Sequence, residues 1–201
     1  SMADTRVRQR LSREERYAQL VEVAWQIIHE LGTEALTLGY LAERAGVTKP
    51  VVYDHFTSRS GLLAALYREY DQRQNRKLES LLAQTAPELQ PRAEVVAKTY
   101  IECVLFQGRE MPSLLAALAG TPELEKIRRE YAVDFTGTCR TLFAPFCGAP
   151  LRDAALWAML GAAEGLSWAA VQDAISEQQA KEELERVIIT MVHATLSDES
   201  A

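Results

Sequence analysis

The stretch "GVTKPVVYDHFTSRSGLL", from Gly46 to Leu63, limits the possible fold more than any other feature of the chain. Just before it, Thr37 opens a short helical pattern with Leu38, Leu41, Ala42 and Ala45 on one face. Gly46 ends that pattern in a left-handed conformation, which costs glycine little. Thr48 then caps a second short helix, and Pro50 is tolerated there because first-turn N–H groups have no helical partner. Val52 and Phe56 lie four apart and are expected to pack inward. Two short helices joined at Gly46-Val47-Thr48, behind a longer supporting helix, make a helix-turn-helix.

The rest of the chain repeats the helical period, with no convincing strand. Ser12 and Glu15 form a capping box, followed by the stripe Leu20, Ala24, Ile27, Ile28 and Leu31 and a stop at Gly32. A fourth helix from about Ser60 buries Leu62, Leu63, Leu66, Tyr67 and Tyr70. Pro87 and Pro91 mark a linker-like break. Further helices read as about 92–107, 112–119, 122–146, 151–175 and 177–196, with stops at Gly108, Gly120 and Gly148. Thr121-Pro122 and Ser176 with Gln179 supply starts. The expected fold is all-α, with about nine helices.

Charge sharpens the picture. The net charge of −6 is confined to the second part, because residues 1–60 carry equal numbers of cationic and anionic side chains. Arg6, Arg8, Arg10, Arg13 and Arg16 form a basic arm at the start. A neutral head with a basic arm on an acidic body is compatible with DNA, though it does not require it. Ser1-Met2 reads as an expression remnant, and no signal peptide is expected ahead of the arginines. The apolar run Ala154–Val171 is interrupted by Glu164 and two glycines, so no membrane span is expected. Cys103, Cys139 and Cys147 are odd in number and lack metal-ligand spacing, which fits packed thiols in a reducing cytoplasm. No metal or cofactor is expected.

A helix-turn-helix gives each unusual residue of the opening stretch a task. Its second helix lies in the major groove with its leading residues at the base edges. Thr48 and Lys49 bring a hydroxyl and an ammonium to base acceptors or phosphate. Pro50 offers an apolar edge suited to a thymine methyl. Tyr53 and His55 can donate to phosphate oxygens, and Arg59 joins a helix N-terminus, itself a phosphate site. Each residue also has an ordinary reading: Tyr53 half-buried, His55 capping a carbonyl. Asp54 opposes a phosphate and is expected to turn away or to pair with a neighbour such as Arg44.

The segment "LTLGYLAERAGVTKPVVYDHFTSRSGLLAALY" resembles the DNA-binding domain of the tetracycline-repressor (TetR-type) transcription regulators. The likeness rests on Thr37, Leu41-Ala42, Gly46-Val47, Tyr53, His55-Phe56, Ser58-Arg59 and Leu62-Leu63, and extends from about Leu11 to Tyr70. Arg59 stands where lysine is usual. Lys49-Pro50-Val51 is this chain's own base-reading sequence, and Gly39 and Tyr40 replace residues that are often polar or basic. The resemblance implies DNA contacts from Thr37, Tyr40, Thr48, Lys49, Pro50, Tyr53, His55 and Arg59. It implies a DNA-binding domain at 1–57 and a ligand-binding and dimerisation domain at 58–201. It also implies a homodimeric cytoplasmic regulator, most simply a repressor, on a near-palindromic duplex, released by a small-molecule effector.

In the body, Trp157, Leu160, Glu164, Trp168 and Val171 share one stripe of the 151–175 helix; Ala155, Met159, Ala162, Leu166, Ala169 and Ala170 share the other. The small-residue face, with Leu184, Ile188 and Met191 of the last helix, is expected at a dimer interface. Glu164 is costly to bury unpaired and is expected either to meet an arginine or to line a cavity. Tyr100, Cys103, Phe106, Phe135, Cys139, Trp157 and Trp168 are candidates for the same wall. The chain lacks a Gly-x-Ser-x-Gly elbow, a phosphate-cradling glycine loop and a His-Glu-x-x-His pair, so no catalytic residue is expected. A helical enzyme or a protein–protein adaptor remains an alternative, but leaves Thr48–Arg59 without a role.

Overall fold

Capping chemistry accounts for where the helices begin. The computed structural model describes residues 10–108 and 110–197, so Arg6 and Arg8 of the basic arm lie outside the described residues. Ser12 Oγ accepts the Glu15 N–H at 3.1 Å while the Glu15 carboxylate accepts the Ser12 N–H at 3.2 Å. This reciprocal pair opens α1 (Arg13–Leu31). Thr37 opens α2 (Leu38–Ala45), and Thr48 stands at the start of α3 (Lys49–Phe56). A long α4 (Arg59–Ala83) follows.

The remaining helices are α5 (Leu89–Leu105), α6 (Met111–Leu118), α7 (Pro122–Phe143), α8 (Asp153–Val171) and α9 (Glu177–Ser197). Among the described residues there is no strand. Ser176 and Gln179 form a second capping box ahead of α9, with bonds of 2.9 and 3.0 Å. The break expected at Pro87 and Pro91 is shorter than expected. Pro91 lies in the first turn of α5, where its missing N–H removes no helical bond. Helix α7 stops at Phe143, and a 3-10 turn occupies Ala144–Phe146.

The described chain divides into two compact units. The first holds the residues up to Arg68 together with α6 and the segment ending at Glu123; the second holds Glu69–Gly108 and Leu124 onward. In the first unit Leu20, Ala24, Ile27, Leu41, Val52, Leu62 and Leu66 are buried around one centre. Helix α6 joins this unit through Ser113 Oγ, which donates to Thr33 Oγ1 at 3.1 Å, and through a 3.1 Å contact between His29 and Glu110. In the second unit α5, α8 and α9 pack on one another, with Ile101, Phe143, Leu156, Leu184, Ile188 and Val192 at the core. Among the described helices α8 alone is long and apolar enough to cross a membrane. Its inner face, Leu156, Met159, Leu160, Ala163, Ser167 and Ala170, is instead covered by protein.

Candidate nucleic-acid interface

Backbone geometry fixes the direction of α3 at both ends. At its start Gly46 adopts φ +68° and ψ +31°, and the Val47 N–H reaches back to the Ala42 carbonyl at 3.0 Å. At its end Thr57 has φ +67° and ψ −41°, and the Ser58 N–H bonds the Phe56 carbonyl at 2.7 Å. That is a γ-turn of the positive-φ kind, a strained corner for a β-branched residue. Ser58 Oγ then accepts the Gly61 N–H at 3.0 Å, opening α4. A Cβ on Gly61 would lie 2.1 Å from the Phe56 carbonyl oxygen, so only glycine permits this corner. With Val52 and Phe56 buried beneath it, α3 is held as a short rigid rod.

Its outer surface carries the groups that the sequence singled out. Thr48, Lys49, Pro50 and Tyr53 are exposed, Tyr53 at 45%. The Thr48 hydroxyl makes no capping bond, although the residue occupies the cap position. Lys49 Nζ sits 5.8 Å from the Tyr53 ring centroid, a cation–π contact that places both side chains together. The Lys49 stem also passes beside Gly39, 3.6 Å from where a Cβ would stand. On α2, exposed Thr37 accepts the Tyr40 N–H at 3.0 Å, and half-buried Tyr40 accepts from Arg44 at 3.2 Å. The Tyr40 hydroxyl proton stays available for an acceptor.

Three side chains differ from expectation. Arg59 turns inward: Nε donates to the Leu36 carbonyl at 2.8 Å and an Nη donates to the Thr33 carbonyl at 2.9 Å. It ties α4 to the turn before α2 and is poorly placed for phosphate, because charge-assisted bonds to two carbonyls hold it there. His55 is half-buried against Tyr17 and Phe56, each with ring centroids 6.0 Å away. Burial, helped by the charge of Arg13, lowers its pKa below the ordinary value and favours the neutral ring. Asp54 pairs with Arg13, whereas Arg44 bonds Glu30 at 3.1 Å. The carboxylate expected to oppose phosphate is therefore neutralised by α1.

In the body, the two stripes of α8 exchange their expected places. Trp157 and Trp168 are 54% and 68% exposed, and Glu164, Gly161, Gly165 and Val171 share that open face. No buried carboxylate has to be stabilised there. Met159, Leu184 and Ile188 are buried within their own unit, and Ala162 and Leu166 are half-buried. Only Ala155 and Met191 of the expected interface set line an open groove, of about 460 Å³, between α8 and α9. Phe106 is exposed at the end of α5, and Cys139 lies in the core, its thiol pushed up to about 12 by burial.

Tyr100, Cys103 and Phe135 do meet, lining a cavity of about 40 Å³ whose remaining wall comes from α4, α5 and α7. Asp71 and Tyr131 also line it and were not anticipated. Asp71 sits in the strongly polar run "REYDQRQNRK", which hides the spacing Tyr67, Asp71, Gln74, Leu78. That four-three-four interval, the seam spacing of packed helices, was the available signal.

Residues 20–66 match the description "Bacterial regulatory proteins, tetR family". The chain is 44% identical over 63 residues to the HTH-type transcriptional activator FasR of Mycolicibacterium smegmatis, covering 31% of this chain and 29% of that protein. It is 33% identical over 75 residues to the class A tetracycline repressor protein from transposon 1721 of Escherichia coli, covering 37% and 30%. The chain therefore spans less than a third of each of these relatives in the matched regions. By fold it is similar to multidrug binding protein EbrR, crystallised with imidazole (TM-score 0.63, 20% identity, 86% of this chain and 89% of that one). It is also similar to a TetR/AcrR-family regulator from Thermobifida fusca (TM-score 0.59, 22% identity, 86% and 96%). Residues 20–66 thus match the TetR family of bacterial regulatory proteins in sequence, and most of the chain shares a fold with these solved structures.

Proposed function

We propose that the protein is a dimeric cytoplasmic transcription regulator that binds a near-palindromic DNA operator and releases it when a small molecule enters the body. The observation that carries this reading is the exposed tip of α3. There Thr48, Lys49, Pro50 and Tyr53 project from a rod whose opposite side is buried. Thr48, Lys49 and Pro50 read base edges, and Tyr53, Tyr40 and Thr37 hold phosphates. His55 contributes at most one N–H, and Arg59 acts through the corner it braces.

The open face of α8 supports a second copy as partner. Trp157, Trp168 and Val171 with two glycines form an exposed apolar strip, and Ala155 and Ala158 of the same helix border the α8–α9 groove. Paired copies would place two α3 tips about 34–36 Å apart, one helical turn of duplex. Glu164, in the middle of the strip, requires a donor across the interface or a position on its wet rim.

Coupling has two covalent routes. Helix α4 carries Leu62 of the head unit and Asp71 of the cavity. Helix α6 packs with the head and is joined in sequence to α5 and α7, which carry Tyr100 and Phe135. A ligand that prefers one arrangement of these helices must weaken DNA by the same factor by which DNA weakens it. Repression is the simpler sign for such a release. Activation is the second reading, because the relative with the higher identity over the head is named an activator.

Selection from random duplexes is expected to yield an inverted repeat, and Lys49→Ala to weaken binding to it by about tenfold, within the range for one base contact. No enriched sequence, or unchanged affinity in Lys49→Ala, would remove the reading.

A further inference from the structure

Gly39 is a glycine that the fold does not require. It stands in the first turn of α2, and its φ lies outside the left-handed range. A Cβ built on it would meet only the Lys49 side chain, 3.6 Å from Cε and 3.9 Å from Nζ. Those are ordinary contacts, so alanine would fit. Glycine is a weak helix former because its backbone loses the most freedom on folding. The helix gains nothing from it. What the missing side chain leaves is room, and the Lys49 stem, coming from α3, occupies that room.

The same lysine is held from a second side. Lys49 Nζ lies 5.8 Å from the centroid of the Tyr53 ring, one turn along α3. Lys49 and Tyr53 are both exposed, so neither contact closes the ammonium off from a ligand. Among the described residues no carboxylate pairs with Lys49; Asp54 is taken by Arg13, and Glu30 by Arg44. A lysine laid over a bare helix and against a ring samples fewer rotamers than one free in solvent. It therefore loses less freedom when it meets a partner.

We propose that Gly39 is a specificity-determining residue: by leaving α2 bare beside the Lys49 stem, it fixes the Lys49 ammonium against Tyr53, where it selects a guanine in each operator half-site. The inference rests on the reading of α3 as the DNA-contacting helix. An ammonium only donates. Guanine presents two neighbouring acceptors, O6 and N7, on its major-groove edge. Adenine sets a donor beside its N7, thymine has one acceptor beside a methyl, and cytosine presents a donor. A cation held in one place therefore ranks guanine first. Tyr53 has two separable parts in this arrangement, a ring face that holds Lys49 and a hydroxyl that reaches phosphate.

The test uses the full chain and the duplex selected from random sequence, with 7-deazaguanine, which lacks the N7 acceptor, placed at each guanine in turn. At one guanine per half-site the replacement is expected to weaken binding about fivefold, the low end for a base contact. Gly39→Ala is expected to keep that effect, because a Cβ fits beside the stem. Gly39→Val and Gly39→Gln, whose further atoms displace the stem, are expected to abolish it while melting no lower than the unaltered protein. Lys49→Ala is expected to abolish it too, and adding Gly39→Val to Lys49→Ala to change base preference no further. Tyr53→Phe is expected to lose affinity but keep the effect. An unchanged 7-deazaguanine effect in Gly39→Val and Gly39→Gln would overturn the proposal. So would a Lys49→Ala protein that binds every duplex more weakly by one factor with a salt slope smaller by about one per copy, the mark of a phosphate contact. A selected sequence without a Lys49-dependent guanine removes this inference and leaves the regulator reading standing. Selection that enriches no sequence removes both.

Discussion

Helices α3 and α8 both present side chains to solvent, and the difference between them shows what each surface is suited to meet. With Thr48 ahead of its eight residues, α3 offers a hydroxyl, an ammonium and a phenol above two buried apolar anchors. On nineteen residues α8 offers two tryptophans and a valine, interrupted by a single carboxylate. The first surface suits a polyanion, where attraction is long-ranged and weakened by salt. The second suits another apolar surface, where the driving force is removal of water and is nearly indifferent to salt. One chain thus has two exposed faces governed by different physics.

Salt is the strongest way to test that contrast. Raising it from about 50 to 200 mM is expected to reduce operator affinity roughly a thousandfold, as for about six phosphates neutralised by Lys49 and the arginines of the basic arm in two copies. Self-association measured by sedimentation over the same range is expected to change little. A parallel loss of both would mean that α8 also pairs through charge. The next effect is structural. Gly61→Ala forces a Cβ onto the Phe56 carbonyl and is expected to lower stability by about 3 kcal/mol, the upper range for overpacking. Chemical denaturation would show it, and an unchanged midpoint would mean that the corner yields easily.

Trp168→Ala addresses the opposite face. It is expected to weaken self-association by about 2 kcal/mol, roughly thirtyfold, while leaving the isolated chain as stable as before. A dimer of undiminished affinity would place the interface elsewhere. The smallest effect concerns Asp54, paired with Arg13 across an exposed surface. Asp54→Asn is expected to alter stability by less than about 1 kcal/mol. It should strengthen operator binding a few-fold by removing a negative charge near the tip, and a weakened complex would show that Asp54 orients Arg13 for the DNA.

The head was legible because its signals are local. Capping pairs, a left-handed glycine and a proline in a first turn are set by atoms a few residues apart, and the structure places Ser12, Gly46 and Pro50 in those roles. What escaped was the orientation of longer side chains. Arg59 is next to the corner in sequence, yet its guanidinium finds carbonyls 23 and 26 residues back. Asp54 found Arg13, 41 residues away, instead of Arg44.

The body was less legible for a related reason. A helix apolar all round has no distinguishing stripe, so the period of α8 shows two faces without saying which one the neighbouring helices cover. Likewise, Asp71 lies in a polar run that reads as a solvated surface until α5 and α7 close over it.

By itself the amino-acid sequence determined the helical architecture, the helix-turn-helix and the polar tip of α3, since hydrogen-bond caps and the helical period operate over one or two turns. Only the tertiary structure decided that Trp157 and Trp168 face outward, that Arg59 faces inward, and that Asp71 meets an aromatic wall. Those outcomes depend on which distant segments pack together, and the pairing of surfaces far apart in the chain leaves no mark at short range.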